Sequence, residues 1–277
     1  MATPLTQVPT QDALRVPART SPLPGDSYVQ SFARGLEVIR SFSAQSPRQT
    51  LTEVAGRTGL SRAGARRILL TLQTLGYVES DGKLFRLTPR MLDLGFAYLS
   101  SLPIWNLAEP VMEALVGEVK ESCSAAVLDG TDIVYVLRVP THKIMSIGLG
   151  VGSRLPAYCT SMGRMLLSAL PPEAMMKVLQ ASDRTPRTRY TVSDVDELAL
   201  RITLVRKQGW SLVDQELEEG LVSMAAPITD RAGQTVAALN ISGQANRTSA
   251  QVMQETMLPR LLAAAQSISS RLAMQRS

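Results

Sequence analysis

Three arginines, Arg62, Arg66 and Arg67, lie close together in the sequence, and guanidinium groups so placed bind phosphate oxygens or the edges of guanine bases. On a helix turning about 100° per residue they share one arc with Ala63. Ala65, Ile68, Leu69, Leu72 and Leu75 fill the opposite arc. No acid alternates with the arginines, as it would on a salt-bridged surface helix. Other reactive groups are arranged less tellingly. The carboxylates Asp214, Glu216, Glu218 and Glu219 of "DQELEE" suggest acid/base work, yet no partner base accompanies them. The single histidine, His142, sits in the turn-like "RVPTHK", a poor place for a triad base. Cys123 and Cys159 are too few for a disulfide framework or a cysteine metal cluster. "GLGVG" at 148–152 lacks the helix and acidic partner of a nucleotide loop. Neither a cofactor nor a metal is expected.

The elements around the arginines are legible. "SYVQSFARGLEVIRSF" at 27–42 has helical spacing, with Ser31 as a candidate cap. Thr50 or Thr52 can start a short helix that Gly59 ends. Ser61 then caps a longer helix ended by Gly76, completing the helix-turn-helix pattern. Small Ala63 and Gly64 let the start of that second helix sit close to base edges. Tyr77–Glu79 and Lys83–Leu87 flank Asp81-Gly82, a hairpin signal. A basic hairpin after such a helix reads as a wing, with Lys83 and Arg86 near phosphates.

The charge distribution agrees. Residues 31–90 carry ten Arg or Lys, among them Arg34, against four acids, a net +6 in a chain of net +5. A phosphate-binding module requires such concentration. The DNA-facing candidates are therefore Arg34, Ser61, Arg62, Ala63, Arg66, Arg67, Lys83 and Arg86. No apolar run approaches the roughly 18 residues of a membrane span, and the N-terminus lacks a signal-peptide core. A cytoplasmic protein is expected, with no membrane partner.

The chain is expected to divide into a disordered, proline-rich tail (1–26), a winged helix-turn-helix domain (27–90), a linker helix (91–102) and a larger domain (103–277). The apolar "RMLDLGFAYLSS" packs either on a partner chain or on its own domain. Beyond it lie a helix over 104–121, strands flanking Asp129-Gly130, a strand in "KIMSIGL", and a helix capped by Thr160 or Ser161. Helices over 172–181 and 194–208, three further strands, and a C-terminal helix from Ser249 complete an α+β sensor. The start of the helix at Thr160 and Ser161 offers free N–H groups and a positive dipole end to a carboxylate, with Arg154 shortly before. Asn240 and Ser242 share one face of a strand, and buried polar side chains there need partners. Capping would also account for Thr160 and Ser161, and bonds to backbone or contact with water for Asn240 and Ser242.

These stretches resemble the IclR family of bacterial regulators over about residues 28–272. "SFARGLEVIRSF", "GSRLPAYCTSMGR", "VDQELEEGL" and "AALNISG" look most like its regulators of aromatic-acid breakdown through the β-ketoadipate pathway. The resemblance implies a winged helix-turn-helix, a linker helix and a GAF-like α/β effector-binding domain. It implies homodimers or homotetramers on double-stranded promoter DNA, and a small carboxylate effector. It places Ser161, Met162, Asp214, Met224, Asn240 and Ser242 at the effector, beside Arg154 and Thr160. Met162 and Met224, larger than their counterparts in some relatives, argue against a two-carbon acid. The rival readings are an enzyme on small acids with an accessory helix-turn-helix, and an architectural DNA binder without effector.

Overall fold

The computed structural model describes residue 25 and residues 28–100, 104–141 and 149–274. Apart from Gly25, the expected tail lies outside them. So do His142, most of the expected strand in "KIMSIGL", and the last two residues of the expected linker. The chain divides into two compact units, the first running to Leu102 and the second starting at Pro103.

In the first unit the order is α1 (Gln30–Arg40), β1 (Arg48–Thr50), α2 (Leu51–Thr58), α3 (Arg62–Thr74), β2 (Val78–Ser80), β3 (Leu84–Leu87) and α4 (Met91–Ser100). Ser31 does not cap α1. Val29 holds that position without a side-chain bond, and Ser31 lies inside the helix. Thr50 caps α2 in a reciprocal box with Glu53. The Glu53 N–H donates to Thr50 Oγ1 at 3.3 Å, and the Thr50 N–H donates to Glu53 Oε2 at 2.7 Å. Gly59 ends α2 at φ 65°, a left-handed conformation that costs glycine little. Ser61 Oγ then accepts from the Gly64 N–H at 3.1 Å and opens α3. The wing turn is held by Asp81, whose Oδ1 accepts from Lys83 N at 3.0 Å and Leu84 N at 2.8 Å.

Val38, Val54, Ala55, Ala65, Leu69, Leu72 and Val78 form this unit's core. Leu75, expected on the core face of α3, is 51% exposed, because the chain turns away at Gly76 one residue later. A third strand, β1, pairs with the outer edge of β3 in the order β1-β3-β2. Sequence patterning missed it, since three residues carry no readable period. Not one described side chain of α4 is buried, and of its large apolar ones Leu92 (74%) and Phe96 (67%) stand furthest out.

The second unit holds a six-stranded antiparallel sheet in the order β6-β5-β4-β9-β8-β7. Its strands are β4 (Ser122–Asp129), β5 (Asp132–Val139), β6 (Arg154–Pro156), β7 (Ser211–Asp214), β8 (Leu221–Thr229) and β9 (Thr235–Gln244). The short edge strand β6 was not anticipated. Helices α6 (Ser161–Ala169), α7 (Pro172–Ala181) and α8 (Val195–Gln208) cover one face, burying Met165, Leu167, Leu179 and Ile202 against Ala126, Ala225 and Ala238. Helices α5 (Ile104–Val119) and α10 (Leu258–Met274) pack together with the sheet, where Met224, Leu239 and Ile241 are buried. The C-terminal helical stretch begins at the Ser249 cap, as expected, with the single turn α9 (Ala250–Val252), but passes through a π-helical turn at Met253–Met257 before α10.

Candidate functional site: a recognition helix and an enclosed cavity

Helix α3 realises the two-faced pattern. Ala65, Leu69 and Leu72 are buried, while Arg62, Ala63, Arg66 and Arg67 are exposed. Among the described residues the three guanidiniums make no ion pair. They are therefore free for an anionic partner, and exposed cations lose little hydration by waiting for one. Arg34 on α1 and Lys83 at the wing turn are also exposed. Arg86 differs, because Glu79 on the neighbouring strand pairs with it at 2.5 Å. The extra strand brings Arg48 directly opposite Arg86, a cation that patterning did not place at the wing.

In the second unit a cavity of about 30 Å³ lies between the N-terminus of α6 and the inner face of the sheet. Thr160, Ser161 and Met162 line it from the helix, and Asn240 and Ser242 from β9. The Thr160 side chain caps α6 by accepting from Gly163 N at 3.2 Å. That leaves the Ser161 and Met162 N–H groups as first-turn donors. Gly163 lets the turn close, because a Cβ there would stand 2.1 Å from the Ala157 carbonyl oxygen.

Three expected effector residues are not brought to this cavity. Val213 and Ser223 line it, so strand alternation turns their neighbours Asp214 and Met224 to the other side. Asp214 is exposed and Met224 is buried in that opposite layer. Arg154 sits on the edge strand, held by Asp129 at 2.7 Å and Asp132 at 3.3 Å. A cation that sequence reading missed takes its place. Arg138 lines the cavity together with Tyr135, three residues earlier on β5. Strict alternation would set these two on opposite faces. A β-bulge, at which Ala125 faces Leu137 and Ala126 faces Tyr135, makes Val136 the extra residue and restores Arg138 to the inner face. Among the described residues Arg138 makes no ion pair or hydrogen bond.

The register then aligns a row across five strands: Arg138, Ser124, Asn240, Ala225 and Ser211. Asn240 Oδ1 accepts from the Ser124 N–H at 3.0 Å, leaving its NH2 as the group it can offer. The adjacent row runs Ser122, Ser242, Ser223 and Val213. Burial pushes the Cys159 thiol, also on the cavity wall, up to about 11, so it stays protonated and unreactive at neutral pH.

The acidic run after β7 has a structural explanation. Arg164 and Glu216, both almost fully buried, form a two-pronged pair at 2.7 and 2.6 Å. Arg164 Nε also donates to the Tyr158 carbonyl at 2.8 Å, and Glu216 Oε2 accepts from Val192 N at 3.0 Å. Thr188 and Thr191 hydroxyls donate to the Gln215 and Glu216 carbonyls. This carboxylate ties the β7–β8 loop to α6 and is not placed to exchange protons with a substrate.

A basic recognition helix with a wing, carried with a separate unit whose largely apolar cavity is set with a few polar groups, defines a ligand-responsive transcriptional regulator. The chain belongs to the IclR family: the family's helix-turn-helix domain matches residues 31–82, and the bacterial transcriptional regulator IclR C-terminal domain matches residues 96–270. Over 270 residues it is 42% identical to the Pca regulon regulatory protein of Pseudomonas putida, covering 97% of this chain and 90% of that one. It is 34% identical over 241 residues to the p-hydroxybenzoate hydroxylase transcriptional activator of Acinetobacter baylyi, covering 85% of this chain and 89% of that one. The crystal structure of an IclR homolog complexed with 4-hydroxybenzoate, from Microbacterium hydrocarbonoxydans, matches with a TM-score of 0.79 at 25% identity, covering 88% of this chain and 100% of that one.

Proposed function

We propose that this regulator controls genes of aromatic-acid breakdown and senses a small carboxylate in the cavity between α6 and the sheet. The carrying observation is Arg138, a half-buried cation without a counter-charge among the described residues, aligned with the Asn240 amide on the same face. A desolvated lone cation favours an anion, and donors without matching acceptors favour a carboxylate. The α6 N–H groups of Ser161 and Met162 add a positive dipole end at the opposite wall. The relatives that act on Pca and p-hydroxybenzoate genes, and the one complexed with 4-hydroxybenzoate, support the aromatic-acid class.

The effector binds by parting the cavity walls. A ligand can act on DNA binding only through such a difference between states. On DNA, the Arg62, Ala63, Arg66 face of α3 reads base edges, while Ser61, Arg67, Arg34 and the wing residues Lys83 and Arg86 hold phosphates. The exposed apolar side chains of α1 (Phe32) and α4 (Leu92, Phe96) serve as contacts between two copies of the chain. The chain works in the cytoplasm as such a homo-oligomer.

Thermal-shift and calorimetric titration with 4-hydroxybenzoate, protocatechuate and β-ketoadipate tests the sensor. At least one acid raises the melting midpoint saturably, and the Arg138→Met variant loses that response. Failure of all three acids to bind would count against the carboxylate reading.

A further inference from the structure

Ser124 lies on β4 between Arg138 on β5 and Asn240 on β9, directly opposite both in register, so the three side chains share the inner face. Arg138 and Asn240 line the cavity. The Ser124 hydroxyl is fully buried and has no hydrogen-bond partner. The one other serine hydroxyl so placed among the described residues belongs to Ser211, in the same row; neither serine lines the cavity itself, but Ser124 is flanked on both strands by residues that do, whereas Ser211 lies beside Ala225, which does not.

A buried hydroxyl left unpaired destabilises the state that contains it. Its place between a lone guanidinium and an amide NH2 gives it one evident acceptor, the carboxylate that those two groups would hold. We infer that Ser124 is a third carboxylate-binding residue, whose hydroxyl is unsatisfied while the cavity is closed and donates to the effector once the walls part. This rests on the carboxylate reading of the cavity and extends it. The same hydroxyl weakens the closed state and strengthens the liganded one. It therefore contributes twice to the difference between states on which regulation depends.

The experiment pairs Ser124→Ala with Ser211→Ala in the full-length chain, using whichever of 4-hydroxybenzoate, protocatechuate and β-ketoadipate the unsubstituted protein binds. Both variants should melt about 2 °C or more above the unsubstituted protein without ligand, because each removes an orphan hydroxyl. Ser124→Ala alone should raise the acid's Kd about tenfold, the effect of a hydrogen bond to a charged group. Ser211→Ala should leave Kd unchanged.

An unchanged Kd in Ser124→Ala, with binding otherwise intact, overturns the assignment of Ser124 and leaves the carboxylate reading standing. A lower melting point for Ser124→Ala overturns it as well, since the hydroxyl would then already be satisfied, as by a buried water. Equal loss of affinity in both variants overturns it by showing a general effect on the sheet. If the unsubstituted protein binds none of the acids, the carboxylate reading falls and Ser124 falls with it.

Discussion

Helices α3 and α6 both carry arginine, and they use it in opposite ways. On α3 the guanidiniums of Arg62, Arg66 and Arg67 stand in water without a partner among the described residues. On α6 Arg164 is buried, and its Nε and both terminal nitrogens are bonded to protein. The first helix keeps its charge available for an external anion, while the second spends it on holding a loop in place. Arg138 stands between these extremes, half-buried and unpaired among the described residues. Where a guanidinium sits between water and core therefore separates recognition from structure better than its presence does.

The comparison breaks most visibly at Arg164. Removing one partner of a buried ion pair leaves the other charge stranded, at a cost of about 3–5 kcal/mol. Arg164→Met and Glu216→Leu should each lower the melting midpoint of the second unit steeply. The double variant should recover much of the loss, because two apolar side chains leave no stranded charge. A double variant as unstable as the worse single one would show that the pair's hydrogen bonds to Tyr158 and Val192, not its charges, hold the loop.

Next in size is Gly163→Ala. The added methyl meets the Ala157 backbone, which cannot rotate aside as a side chain can. The expected loss is about 1–3 kcal/mol, with weakened effector binding because the first turn of α6 must shift. Denaturant melts and titration of the same preparation read both effects. Normal stability and affinity would show that α6 has room to move.

Arg66→Ala should leave stability nearly unaltered, since the side chain is exposed. It should weaken promoter binding by about 1–3 kcal/mol and relax sequence preference if Arg66 reads a base. Arg67→Ala, assigned to phosphate, should weaken all sequences alike and reduce the salt slope by about one. Fluorescence titration on specific and scrambled duplexes at several salt concentrations separates these behaviours. If neither variant changes DNA binding, the unpaired face of α3 is not the recognition surface.

How much of this was legible in the sequence follows from the range of each interaction. Ser61, Gly59 and the arginine arc are set by neighbours within one or two helical turns, so periodicity and capping chemistry reveal them. Glu216 finds Arg164 across 52 positions, and no local pattern reports that pairing. Alternation along a strand is readable, but its phase is not. Met224 and Asp214 were therefore assigned to a cavity that their neighbours Ser223 and Val213 line. A bulge resets the phase without any sequence mark, which is how Arg138 reached the cavity unannounced. Thr160, Ser161 and Met162 on the helix, and Asn240 and Ser242 on β9, were named from the sequence and line the cavity, whereas Arg138, Val213 and Ser223 needed the register.

The smallest effect belongs to the box that starts the helix-turn-helix. The Thr50 N–H and hydroxyl, bonding to the Glu53 carboxylate, hold its pKa below the ordinary 4.5. Since the folded value lies below the unfolded one, the carboxylate's contribution is fully present above the unfolded pKa and declines as pH falls through the folded value. Asp81, held below its ordinary 3.8 by the Leu84 and Lys83 N–H groups, acts in the same direction at the wing turn. Glu53→Gln should therefore lower the melting midpoint of the first unit slightly at pH 7. The gap to the unsubstituted protein should close as pH falls below about 4.5 and on through the depressed folded value, beneath which both carry a neutral group at position 53. A gap that persists unchanged down the whole acid limb would mean that shape, not charge, fixes the start of α2. The contrast between an exposed charge held for DNA and a charge used for folding would then have to be drawn without this helix.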